Sequence, residues 1–123
     1  MTVQGSLIGE SLRVGAAVEG VPLTVRKVSR ADCGDEPAGQ PRIWTFIDFE
    51  APAAAAASLA QALSDALDAS LGWYCDFRSA DETFVVFAGR IFRYPRGDRV
   101  ARTSAEDYGR SVGVPEPQLD WPE

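Results

Sequence analysis

The chain has 123 residues, 46% of them hydrophobic and 24% charged, with 18 acidic against 12 basic side chains and a formal net charge of −6. That is one domain's length with the composition of a folded chain rather than a disordered one. Histidine is absent, which excludes a Ser-His-Asp or Cys-His catalytic pair, histidine metal ligands and a histidine pH switch.

The acidity gives no overall field to attract nucleic acid or an anionic membrane, so neither is expected as a partner. Eleven of the basic residues are arginine and one is Lys27. Arginine favours planar, bidentate partners, so several should sit in ion pairs. Cys33 and Cys75 are the only cysteines, and one disulfide is possible without being readable from spacing. Residues 1–10 lack a basic stretch followed by an apolar one, so no secretory signal is expected. No apolar run approaches the ~20 residues of a helical membrane span. The expectation is a cytoplasmic protein with reduced thiols.

Residues 1–20 are weakly patterned. A strand is expected at Leu23–Val28, where Leu23 and Val25 alternate and Val28 falls out of phase, as at a bulge or a strand end. Residues 31–42 hold Asp32, Gly34, Asp35, Pro37, Gly39 and Pro41 and read as a loop. Ile43–Phe49 is apolar in both phases and reads as a central strand. Pro52 opens a helix whose stripe is Leu59, Leu63, Leu67 and Leu71, with Gly72 at its end. Trp73–Arg78, Thr83–Phe87 and Ile91–Tyr94, joined by connections of hairpin length, read as an antiparallel meander. A second helix is expected from about Ser104 to Val112, with Thr103 and Glu106 at capping-box spacing. Leu119 and Trp121 should tether the last residues to the body. The order β-β-α-β-β-β-α predicts one α+β domain over residues 1–123. It is a two-layer sandwich, with a mostly antiparallel sheet and both helices on one face.

The most informative segment is Trp73-Tyr74-Cys75-Asp76-Phe77-Arg78. Alternation puts Trp73, Cys75 and Phe77 in the core phase and Tyr74, Asp76 and Arg78 on the opposite face. Trp44 and Asp48 join that face if their strand has the same phase, and Arg93 is a further candidate. An open sheet face of rings, carboxylates and guanidiniums suits a peptide, a polar ligand or a second copy of the chain. It also suits an ordinary solvated surface in which Asp76 and Arg78 neutralise neighbouring strands. Cys75 is a poor nucleophile, with no histidine to activate it and a buried phase. Asp48 and Asp76 are candidates for an acid/base dyad or a Mg²⁺ site if they stand on adjacent strands, although chance pairing explains them as well. Arg90, Arg93, Arg96, Arg99 and Arg102 recur every three residues, but they cross a strand, a turn and a helix start, so they form no basic stripe.

The segments Trp73-Tyr74-Cys75-Asp76-Phe77, Ile91-Phe92-Arg93-Tyr94 and Tyr108-Gly109-Arg110-Ser111-Val112-Gly113-Val114-Pro115-Glu116 resemble a group of small bacterial proteins known as hypothetical proteins. The resemblance covers roughly the second half of the chain and the strand at 44–50. It implies a bacterial cytoplasmic protein and brings no activity with it.

Together these readings favour a non-enzymatic binding module that docks a protein partner, or a second copy, on the open face. Trp44 and Tyr74 would be anchors, Asp48, Asp76 and Arg78 would fix orientation, and no cofactor or metal is expected. An immunity- or antitoxin-like inhibitor is one alternative. A small enzyme using Asp48, Asp76 and Arg78 is another, and it requires a concave site with a perturbed acid.

Overall fold

In a computed structural model, which describes residues 1–34 and 39–123, six strands form one sheet. They are β1 (Thr2–Ile8), β2 (Thr24–Asp32), β3 (Ile43–Pro52), β4 (Cys75–Arg78), β5 (Glu82–Phe87) and β6 (Arg90–Pro95). Their order is β2-β3-β1-β4-β5-β6, and every pairing is antiparallel. The helices are α1 (Ala56–Ala66) and α2 (Arg99–Ser111). The α+β class and the expected order hold, with one strand added at the front. Neither helix is long and apolar enough to cross a membrane.

The added strand, β1, sits at the centre. It pairs along its whole length with β3 and through Gln4, Gly5 and Ser6 with β4. Val3 and Leu7 are buried beneath α1. Gly5 lies between them in the same phase, which removes the apolar signal at the middle of the strand. It is glycine because β4 passes too close for a side chain. A Cβ there would overlap the Asp76 carbonyl oxygen and stand 2.6 Å from Phe77 Cβ.

The two helices divide between the two faces of the sheet instead of sharing one. Strand β5 is apolar in both phases, so both of its faces need cover. Phe84 and Val86 pack with Phe49, Phe77 and Cys75 under Leu59 and Leu63 of α1. Val85 and Phe87 point the other way and pack with Tyr94, Ala105 of α2, Leu119 and Trp121. The ring of Tyr108 stands 5.0 Å from that of Phe87. Leu119 and Trp121 do tether the final residues, as expected.

Helix α1 stops at Ala66, short of the expected stripe. Leu67 forms a bridge with Leu12, and Asp68 donates its backbone N–H to Ser11 O at 2.8 Å. Pairing with residues 11–13 thus replaces the next helical turn. Leu71 stands outside the stripe, exposed, at φ 63°. Helix α2 begins five residues before the expected start, because Asp98 is its cap and accepts the Ala101 N–H at 3.0 Å. Thr103 lies inside the helix. The phase slip in β2 is a bulge between Val25 and Lys27, and the strand continues to Asp32. Of the expected loop at 31–42, Asp32 belongs to β2, and Asp35 and Pro37 fall outside the described residues. Cys75 is buried and Cys33 partly exposed.

Replacing Gly5 with Ala should destabilise the fold by about 1–3 kcal/mol through overpacking against β4. A change within about 0.5 kcal/mol in urea denaturation would contradict the close approach. Asp98→Ala should cost about 1 kcal/mol by removing the α2 cap, and Asp98→Asn should recover most of it in the same assay.

Candidate functional site

The face that carries α2 is covered over only half its width. Helix α2 and residues 114–123 lie over β5, β6 and Tyr74, which precedes β4. Strands β2, β3 and β1 remain uncovered there, and a groove runs between them and the closing segment.

Register fixes what lines the groove floor. Ser6 pairs with Asp48 on one side and Asp76 on the other, and Gln4 pairs with Glu50 and Arg78. Two cross-strand rows result, Asp48–Ser6–Asp76 and Glu50–Gln4–Arg78. Asp48 and Asp76 therefore do share a face, but β1 separates their strands. At a strand spacing of about 4.8 Å, their backbones are about 10 Å apart. They form no adjacent dyad, and no cluster of metal-ligating side chains occurs among the described residues.

The groove has two connected lobes that share Ser6, Asp76 and Asp120. One, of about 530 Å³, is lined by charged side chains including Arg26, Asp48, Glu50 and Arg78. The other, of about 280 Å³, is lined mainly by apolar and aromatic residues, namely Ile8, Trp44, Phe46, Trp73 and Tyr74. Both sizes suit small-ligand or side-chain recognition.

The wall opposite β3 is residues 118–122. Tyr74 donates its hydroxyl hydrogen bond to the Gln118 carbonyl oxygen. The Gln118 side-chain amide is held by the buried Gln40, donating to Gln40 Oε1 at 2.8 Å and accepting from its Nε2 at 3.3 Å. Trp121 Nε1 donates to the Tyr94 hydroxyl at 2.8 Å, with Arg102 over its ring at 4.8 Å. At the far end, Arg96 Nε donates to the Glu123 carbonyl at 2.9 Å and Arg99 pairs with its carboxylate at 3.2 Å.

Asp76 borders both lobes of the groove. Burial pushes its carboxyl above the usual range, and Asp120 adds to the rise. Arg78 opposes it with an ion pair at 2.7 Å. Arg78 Nε and Ser6 Oγ are buried and have no hydrogen-bond partner among the described residues. Burial also raises the Tyr74 hydroxyl and the Cys75 thiol, which leaves Cys75 an inert core group.

Of the six residues singled out in the sequence, Asp48, Asp76 and Arg78 meet on the floor. Trp44 and Tyr74 line the apolar lobe but are not free-standing anchors. Trp44 is only 8% exposed and packs edge-on against Trp73 at 5.4 Å, while Tyr74 packs against Trp121 at 5.4 Å. Arg93 lies on the opposite face. It pairs with Phe84 in register, places its guanidinium 4.9 Å from that ring and binds Glu82 at 2.7 Å. The sequence reading missed Gln4 and Ser6, because β1 was unrecognised. It also missed Asp120, for which no sequence signal existed. Arg26 and Glu50 were readable as cross-strand neighbours only once the bulge was placed.

No family model matches the chain, and no significant match was found among curated proteins or solved structures.

The raised Asp76 carboxyl has a stability consequence. An acid whose folded pKa exceeds its unfolded one holds its proton more firmly in the folded state. Its contribution to stability is therefore full below the ordinary aspartate range and falls as pH rises through the raised value. Asp76→Asn lacks this dependence. Its stability relative to the parent should grow with pH from about 4 upward and then level off. Urea titrations at several pH values test this, and a flat difference would show that burial does not penalise the ionised group.

Proposed function

We propose that this chain is a non-enzymatic binding module whose ligand seat is the two-lobed groove. The observation that carries this reading is the concave junction at Ser6, Asp76 and Asp120, where an apolar lobe meets a charged one. Ser6 Oγ and Arg78 Nε add to it, since each is buried with no partner among the described residues. An unmet buried polar group costs about 1–3 kcal/mol, which a ligand that supplies the missing bond recovers. The partner is a protein, and an inhibitor of the immunity or antitoxin kind is one form such a module takes.

One second reading has a specific observation in its favour. A carboxylate/Arg-based enzyme needs a perturbed acid in a concave site, and Asp76 is such an acid. Asp76 would then donate a proton, Asp48 act as base and Arg78 orient the substrate. Turnover of nitrophenyl glycosides or esters that vanishes in Asp76→Asn supports this reading, and no turnover across the panel counts against it.

The binding reading is tested with ¹⁵N-labelled protein and a panel of acetylated tripeptide amides that varies charge and apolar content. Binders should shift the Ser6 amide and the Trp44 and Trp73 indole signals together. A panel in which nothing moves those three signals overturns the groove as a ligand seat.

A further inference from the structure

Resting on that reading, we propose that the groove takes an extended segment of a partner protein in which a Lys or Arg lies two positions from a large apolar side chain. The charged lobe is anionic in balance. Each of its two guanidiniums is paired in charge with a carboxylate of the groove, Arg26 Nε donating to Glu50 Oε2 at 2.6 Å and Arg78 binding Asp76 at 2.7 Å. Asp48 and Asp120 are left, and neither forms an ion pair among the described residues. Lys27 faces Asp48 across the β2–β3 register, but among the described residues it makes no ion pair with it, and it lines neither lobe. A cationic head between Asp48 and Asp120 gains charge-assisted hydrogen bonds. It also relieves the repulsion that Asp120 exerts on Asp76. An anionic ligand meets the opposite field.

Independent observations select the rest of the ligand. The neighbouring lobe is apolar and aromatic, and Ser6 Oγ, buried and unpartnered, lies at the junction. Along β1 one lobe spans Gln4 to Ser6 and the other Ser6 to Ile8, so their midpoints stand two residues, about 7 Å, apart. An extended backbone carries same-side residues every second position, about 7 Å apart. A residue pair at that spacing therefore reaches one lobe with each side chain, with its backbone over Ser6.

The test compares acetyl-Phe-Ser-Arg amide with its Gln and Glu counterparts and with phenethylamine, titrated into labelled protein. The Arg peptide should bind about tenfold tighter than the Glu peptide, with the Gln peptide between them, and added salt should narrow the gap. In the Asp48→Asn/Asp120→Asn variant the preference should shrink to about twofold or less, while Phe46→Ala should weaken all three peptides alike. Thermal melts confirm that each variant is folded. Equal or tighter binding of the Glu or Gln peptide overturns the cationic assignment. If that binding is still lost in Phe46→Ala, the groove reading survives the loss. A preference that persists in the double variant places the cation elsewhere and also overturns the proposal. Phenethylamine binding as tightly as the Arg peptide overturns the peptide assignment, and binding by none of the probes overturns both the proposal and the groove reading.

Discussion

The insertion of β1 between β3 and β4 is the constraint on which the rest of the structure depends. Without it the chain is a two-stranded ribbon and a three-stranded meander with no shared sheet. The close approach at Gly5 makes the insertion possible, since a side chain there would strike the β4 backbone. The same insertion builds the groove floor. Asp48 and Asp76 share a row only because Ser6 stands between them, and Glu50 and Arg78 are likewise joined through Gln4.

The groove's electrostatics follow from which charges are already spent. Arginine finds carboxylates throughout this chain, as its planar fork favours. Arg110, for example, is clasped by Glu116 and Asp107 at the surface. Exposed pairs of that kind contribute little to stability. In the groove the pairing has another effect. With Arg26 and Arg78 occupied, the net charge of the lining is carried by Asp48 and Asp120, one on the sheet and one on the closing segment. The two sides of the groove thus present like charge to whatever lies between them.

Much of the fold was legible in the sequence wherever the pattern was periodic and local. The meander from Trp73 to Tyr94 could be read from alternation and short connections, and the body of α1 from its leucines. What could not be read had non-local causes. Leu71 continues the helical spacing, yet the helix ends at Ala66 because residues 11–13 capture the chain beyond it. Thr103 and Glu106 have the right spacing for a cap, but Asp98 at the strand exit caps first. The division of the helices between two faces was implicit in β5, where Thr83, Val85 and Phe87 are as buried as Phe84 and Val86. Half of the site was legible by phase alone, as with Asp48, Asp76 and Arg78. Arg93 failed because its hairpin register puts it opposite Phe84. Asp120 belongs to an irregular segment whose position is set only by tertiary contacts of its neighbours, Trp121 foremost among them.

The central place of β1 means that the order of synthesis is not the order of assembly. This strand leaves the ribosome before the other five, yet its partners come far later, β3 after the whole of β2 and β4 only after α1. The meander closes on loops of two and three residues and the ribbon on residues 33–42, and closing such stretches needs less chain entropy than joining distant segments. The strand between them joins residues distant in sequence, so its docking is the slow, non-local step. Until then Val3 and Leu7 have no core to enter, and the edges of β3 and β4 stand open to any other strand. The residue that lets the sheet close, Gly5, is thus also the one on which the interval of exposed edges depends.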